Sequence, residues 1–558
     1  MSPSRRHRVL LVVVAAATLC MALALASPAM AGKPTPTPTP TPTFGQWVIG
    51  DTHNHTHLSD GQEYLPTLVY KAFSVYKLDY LGSTDHGGEW DRDANAVKYW
   101  YDTVGNGSGD VWAWDGMLDN WDTFNALRAQ YAGKILFQGL EWGTPGVDES
   151  KTVVLDQYQL PGSAAPTYAS GMAESDFEYL FDKMDSDYTQ ATTIGTVLGL
   201  PNSQGTSESR TGIDKTAENY DKPAWGLKAA GFLGTKYKTT SYSILSHPSR
   251  DLMWTVGKIR AYNDAAPTVF FGMAGIPGSQ KELPCRGGYD TDDEWFNPDG
   301  SINWDITKLA RTYGGADYIT AQLGGVWDAL LGEGRKYWIF SDSDFHNSTE
   351  EHWPGEYNQD HVWVDAKTPQ GIIDGMRRGD SFSAEAQLID SLDFKAAAGT
   401  GSATMGGTLN VAKGATVTVT VKWHSPAVNN HGDVPKVNHV DLISGNVTGK
   451  IAPTDPAYAT NTTNPSTKVA ARFTTASLRA SKGWYSATFT IKPTADMYFR
   501  LRGTNMGLGV AGQTDSNGNP IADYLEDGGT NDNPTINDDV RCWKDIWFYS
   551  NPIFIDVQ

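Results

Sequence analysis

Six short apolar runs recur between residues 44 and 386: Trp47-Val-Ile, Tyr80-Leu, Ile135-Leu-Phe, Tyr242-Ser-Ile-Leu, Val269-Phe-Phe and Tyr337-Trp-Ile-Phe. Unbroken apolar runs at helical separations predict parallel strands buried on both faces. Between them, helical periodicity is visible around residues 176–184 and 306–313. Pro223 predicts a helix over 223–232, since proline is tolerated in a first turn. Five of the six runs end within a few residues of a histidine or an acid. Polar groups placed repeatedly just after buried strands are the layout of an α/β barrel, whose site gathers at the strands' C-terminal ends. From about Gln387 the pattern changes to period two, as in Thr416-Val-Thr-Val-Thr-Val-Lys-Trp423, Tyr485-Ser-Ala-Thr-Phe-Thr-Ile and Pro552-Ile-Phe-Ile-Asp-Val. Turns rich in Gly, Asn, Asp and Pro separate these stretches, which predicts an all-β sandwich over 387–558.

The first 43 residues follow neither pattern. Arg5, Arg6 and Arg8 precede an apolar stretch over 9–26, and Ala29-Met-Ala31 supplies a cleavage signal. We read 1–31 as a cleaved signal peptide and the Pro-Thr repeat of 32–43 as an extended spacer. The mature chain is then secreted or extracytoplasmic, with residues 44–386 as its first domain. Removing three arginines takes the formal net charge from −20 to −23. So acidic a chain has no broad basic face for extended nucleic acid, although a small phosphate ester is not excluded. Asn54-His-Thr56 and Asn347-Ser-Thr349 are glycosylation sequons beside the chain's densest polar motifs, which favours bacterial export over a glycosylating route. Beyond the signal only Cys285 and Cys542 remain, enough for one disulfide or two separate thiols.

The chemistry sits in four histidine motifs and one acid. These are Asp51-Thr-His53-Asn-His55-Thr-His57-Leu-Ser-Asp60-Gly61, Thr84-Asp85-His86, Ser246-His247-Pro, Ser341-Asp342-Ser-Asp344-Phe-His346, and Gly139-Leu-Glu141-Trp. Imidazole with carboxylate is a ligand set for zinc, manganese and iron. On a strand, His53 and His55 share a face and can grip one ion. Asp60 lies in the following loop, within reach of another. His57 and Asp342 are read as neighbours of the site rather than ligands.

The run D-x-H-x-H-T-x-x-S-D-G, followed about 30 residues later by T-D-H, resembles the PHP (polymerase and histidinol phosphatase) phosphoesterases. Glu141, His247 and the Asp344-Phe-His346 motif follow in that family's order. The resemblance covers about residues 46–390. It implies a distorted (β/α)7 barrel with two or three divalent metal ions. It also implies hydrolysis of a small phosphate mono- or diester by a metal-bound hydroxide. By position it assigns His53, His55, Glu141 and Asp344 to a first ion, Glu141 and His247 to a second, and Asp60, His86 and His346 to a third. Asp344 and His346 are the groups it offers for proton movement.

The sequence departs from the family's pattern after Glu141, where another histidine is usual and Gly143-Thr-Pro-Gly-Val-Asp148-Glu149-Ser-Lys stands instead. Asp148 and Glu149 are oxygen donors, but neither is assigned to the site. The second ion is thus left open, as is a preference for manganese or iron over zinc. Arg250 and Arg286 are candidates for contacting a phosphate. Hydrolysis of an amide-type bond, and a binding role with glycan or cell-envelope contact through the sandwich, stay open as alternatives. Trp423, Trp484, Trp543 and Trp547 would be the sandwich's sugar platforms or part of its core.

Overall fold

The computed structural model describes residues 45–92, 99–101, 111–158, 167–170, 172–185, 222–278, 289, 303, 308–349, 351–523 and 542–558. The expected signal peptide and spacer, Cys20, Cys285 and Arg286 lie outside them. No described helix is long and apolar enough to cross a membrane.

In the first half, β1 (Gln46–Asp51), β2 (Tyr80–Ser83) and β3 (Ile135–Gln138) are adjacent parallel strands. After Gly139 the chain enters β4 (Leu140–Gly143), which pairs antiparallel with the long β5 (Glu149–Tyr158). Next to β5 runs β6 (Ser241–Leu245), followed in parallel by β7 (Gly272–Ile276) and β8 (Trp338–Ser341). Two antiparallel strands, β9 (Asn358–Val364) and β10 (Ser381–Glu385), return on the far side of β1. Helices α1 (Leu65–Tyr70), α2 (Trp121–Gln130), α3 (Met172–Phe181), α4 (Pro223–Lys236), α5 (Val256–Ala265), α6 (Tyr318–Ala321), α7 (Val326–Gly332) and α8 (Pro369–Arg378) connect or flank them. Local chemistry sets the ends of α8: Thr368 accepts from the Gly371 amide, Pro369 opens the first turn, and Gly379 closes the helix at φ 74°.

The architecture is α/β, as the run pattern predicts, but the described strands form two open sheets rather than a closed barrel. β1, β2 and β3 belong to one sheet and β4 to β8 to the other, with isolated parallel bridges at Asn54–Phe345 and His86–Glu141 between them. Two local expectations are corrected. Val269-Phe-Phe is a buried turn, and the strand is the Gly272-Met-Ala-Gly-Ile segment after it. Glycines permit that strand, because a Cβ on Gly272 or Gly275 would meet Phe340 or Ile339 at 2.7 or 2.6 Å. Residues 308–313 are not helical. Gly314 and Gly315, both at positive φ, close a tight hairpin that pairs Thr312–Tyr313 with Ala316–Asp317.

The second half adds β11 (Ser391–Ala398), β12 (Gly401–Thr404), β13 (Thr408–Val411), β14 (Val417–His424), β15 (His439–Asn446), β16 (Lys468–Thr474), β17 (Trp484–Ile491), β18 (Met497–Thr504), β19 (Trp547–Ser550) and β20 (Ile553–Val557). Strands β11, β12, β14 and β17 form one sheet, and the rest pair with each other. Val417, Val419, Val421 and Trp423 alternate inward and pack with Val440, Phe499, Leu501 and Ile555 of the facing sheet. Trp423, Trp543 and Trp547 are buried there, so none offers an indole face to a sugar. Cys542 is disulfide-bonded, its partner lying outside the described residues.

The two halves share a sheet, since β10 pairs with β19. Between α7 and β18 they also share a buried ion pair. Arg500 donates from Nε and Nη2 to the two oxygens of Asp328 at 2.8 and 2.7 Å, and the Tyr498 hydroxyl donates to the same carboxylate at 2.9 Å. Removing one partner strands the other charge in the interior. Asp328→Ala should therefore lower unfolding free energy by about 3–5 kcal/mol in a denaturant titration. A loss below about 1 kcal/mol would mean that the pair is not a main tie between the halves.

Candidate metal centre

Every motif histidine assigned by position arrives at the C-terminal end of a strand. β1 leads to His53 and His55, β2 to His86, β6 to His247, and β8 to Asp344 and His346. Glu141 stands in β4, two residues past Gly139. The β4–β5 register opposes Glu141 to Lys151 and Gly143 to Glu149. Opposed residues share a face, and so do residues two apart, so Glu141, Glu149 and Lys151 all point inward.

Backbone ties fix the two main ligand loops to one another. Asp344 N donates to His53 O at 3.0 Å and His55 N to Phe345 O at 2.8 Å. Asp51 joins them from below: one oxygen accepts from His53 N and the other from Ser343 N, at 3.1 and 3.0 Å. Asp85 takes the amide and hydroxyl of Thr56 and the Ser59 hydroxyl, which holds the turn carrying Asp60. Deeper still, Lys151 and Asp342 form a fully buried ion pair. His247 and Asp344 adopt φ of 21° and 48°, conformations that cost a non-glycine residue on the order of 1 kcal/mol or more.

The donors fall in four overlapping groups, which make three adjoining clusters because the last two share Glu149. In the first, His53 Nε2 lies 2.8 Å from Glu141 Oε1, 3.2 Å from Asp344 Oδ1 and 3.3 Å from His55 Nε2. His55 Nε2 in turn lies 3.1 Å from Glu141 Oε2 and 3.2 Å from Asp344 Oδ1. Ligands about 2.1 Å from a common ion are separated by about 3.0–3.4 Å, as along the edges of an octahedron or tetrahedron. The group therefore has the dimensions of a coordination shell. The second gathers His55, Asp60, His86 and His346, with Asp60 Oδ1 3.3 Å from His55 Nδ1 and Oδ2 3.5 Å from both His86 and His346 Nε2. His55 thus faces both groups through its two ring nitrogens.

The third cluster supplies what the sequence left open. His247 Nε2 lies 3.3 Å from Glu141 Oε1 and 3.4 Å from Glu149 Oε2, while Glu149 Oε1 is 3.5 Å from His86 Nδ1. Asp148 sits behind, 3.0 Å from His247 Nδ1, where it orients the ring. Both acids therefore reach the site, contrary to the sequence reading that assigned neither. The overlooked signal was the β-branched run Thr152-Val-Val, which marks a strand whose register with β4 brings Glu149 to the face of Glu141. Arg250 meets Asp148 at 3.1 Å and Glu149 at 2.8 Å. It pairs with these site acids and, at 3.5 Å, with the partly exposed Asp251, and its side chain is 26% exposed. His57 packs its ring edge-on against Tyr64 and, with Asp342, stands outside the donor groups.

No family model matches the chain, and no curated protein matches it. Among solved structures it is similar to a two-domain protein from Bacteroides vulgatus containing a predicted PHP-like metal-dependent phosphoesterase. The two are 12% identical, over 86% of this chain and 95% of that one, with a TM-score of 0.30.

Electrostatics explain why the donors are held ready. Burial opposes charge on His86, yet Asp60, Glu149 and Glu141 together raise it to about 9. Burial is likewise overcome at His55, chiefly by Asp60, and at His346, chiefly by Asp60, so both are raised. Against its own burial, Glu141 is held well below the usual carboxylate range by His53, His86 and His247. Protons on these rings occupy the positions an ion would take and must leave when it binds. Metal affinity should therefore rise with pH through the neutral range, the His86 proton leaving at about 9, and fall steadily in acid, with proton release visible by calorimetry in two buffers. Glu149→Gln should weaken retention of one ion by about 10- to 100-fold at constant pH, read as metal content after mild chelation. Unchanged metal retention in that variant would remove Glu149 from the ligand set.

Proposed function

We propose that this chain is an exported metal-dependent hydrolase of the PHP type, acting on small phosphate mono- or diesters. The observation that carries the reading is the sharing of donors: Glu141 and His55 each belong to two of the groups, so the groups lie side by side. Five carboxylates (Asp60, Glu141, Asp148, Glu149 and Asp344) face one guanidinium, Arg250, across this space. With neutral imidazoles, the uncompensated charge matches two divalent ions, and the donor atoms provide for a third. Oxygen-rich surroundings at Glu149 and Asp148 favour manganese or iron there over zinc. On this reading the two sheets are halves of one distorted barrel, bridged at the site. The basic and apolar N-terminal residues with Ala29-Met-Ala31 support export.

Adjacent divalent ions supply a water activated near neutral pH and neutralise charge building on phosphoryl oxygens. The chain's own groups do the rest. Asp344 and Glu141, buried and held ionised, fix the spacing of the donors. His346 and Asp60, with side chains 27% and 39% exposed, form the side from which a phosphoester enters, and with only the first two ions bound His346 Nε2 keeps a proton to give to the departing alcohol. Arg250 is positioned to hold a phosphoryl oxygen once its acids are engaged elsewhere.

The test is phosphate release from a panel of simple mono- and diesters by protein loaded with manganese, iron or zinc, with metal counted per chain. More than one ion per chain and metal-dependent release are expected. The double variant His53→Ala/His55→Ala should lose more than about 100-fold in activity. Near-normal activity in that variant, or trace metal after loading, would refute the assignment.

A further inference from the structure

Beside the donor cluster, at the same ends of the strands, lies a cavity of about 610 Å3. Its walls come from the loop after β6, the first turn of α5, the α6–α7 connection and residues 459–463 of the second half. One chain connection and one hydrogen bond tie it to the centre. Pro248, in its wall, directly follows His247. Trp254, also in the wall, donates from its indole nitrogen to the carbonyl of Glu149 at 3.1 Å. Ser249 is fixed by its amide and hydroxyl to Asp317, which caps α6 on the opposite wall. The space is thus framed by the same residues that hold the second-ion donors.

Its lining contrasts with its surroundings. Although 19% of the chain is charged and the adjoining centre is crowded with carboxylates, none of the described residues lining it carries a charged side chain. Leu252, Trp254, Val256, Ile319, Leu323 and Val326 supply the apolar surface, with threonine hydroxyls towards 460–463. A charged group there would be desolvated with no partner. A volume of this size suits an organic group of several to many carbon atoms.

Resting on the phosphoester reading above, we infer that this cavity binds the alcohol portion of the substrate, and that this portion is uncharged and predominantly apolar. In the hydrolysis, water oxygen bonds to phosphorus, the bond from phosphorus to the alcohol oxygen breaks, and that oxygen takes a proton. The released alcohol begins in the cavity while its phosphate stays at the donor cluster.

Ethyl phosphate and hexyl phosphate separate the possibilities, because their alcohols are nearly equal in acidity and differ only in apolar length. Metal-loaded protein should prefer hexyl phosphate by roughly 10- to 100-fold in kcat/KM, expressed mainly in KM, since each buried methylene adds apolar contact. Leu323→Asp and Val326→Asp, both at half-buried positions, should bring that ratio to within about threefold; an acid at 326 also suits the first turn of α7. Fluorescence titration with 2-naphthol, which needs no turnover, should show binding to the unmodified protein and loss of it in both variants. Hydrolysis without length preference and without naphthol binding would overturn the cavity assignment while keeping the phosphoesterase. Naphthol binding that both variants lose, with neither ester hydrolysed, would overturn the phosphoester reading and keep the cavity as an apolar-ligand site. Failure of both measurements would overturn both.

Discussion

Burying carboxylates side by side is costly: each ionised group taken from water loses several kcal/mol of solvation that its neighbours must return. Here Glu141, Asp148, Glu149 and Asp344 are buried in overlapping donor groups, each with a neighbouring carboxylate in its own group, and Asp60 lies at their edge. A single guanidinium and a set of imidazoles face them. Protonated rings offset part of that repulsion, which is why His55, His86, His247 and His346 are all raised despite burial. Divalent ions would offset it more completely, with more charge in less space. Most other features of the molecule follow from keeping this group assembled.

Support comes in layers. Asp51 crosslinks the loops after β1 and β8, Asp85 holds the turn of Asp60, and Asp148 orients His247. Beneath them the buried Lys151–Asp342 pair brings one cation to an interior that also contains Asp51 and Asp360, and burial pushes both of those carboxyls upward, Asp51 to about 7. The second half contributes through the shared sheet and the Asp328–Arg500 pair, so the wall that α7 gives to the cavity is anchored from both halves.

Much of this was legible in the sequence because it rests on local pattern. Apolar runs ending at His53, His86, His247 and Asp344 marked both the strands and the ligands they deliver. Val417 to His424 announced its sheet by strict alternation. What escaped were features fixed by distant packing. Gly272-Met-Ala-Gly-Ile fits as a strand because its neighbours leave no room for side chains at 272 and 275, and composition alone conceals that. The hairpin that aims Glu149 at Glu141 depends on the β4–β5 register, so the stretch without a histidine read as lacking a donor although it brings Glu149 to 3.4 Å from His247. Nor does repeated strand–helix alternation reveal that β4 and β5 fold back as an antiparallel pair, or that β9 and β10 join the sheet antiparallel beside β1.

The central claim is that the three donor clusters are adjoining metal positions. Anomalous X-ray diffraction from crystals grown with manganese, collected above and below the metal edge, tests it directly. The account predicts separate peaks among His53, His55, Glu141 and Asp344, among Asp60, His86 and His346, and beside His247 and Glu149. Crystals with these side chains ordered, manganese in the medium and no anomalous peak among them would contradict it.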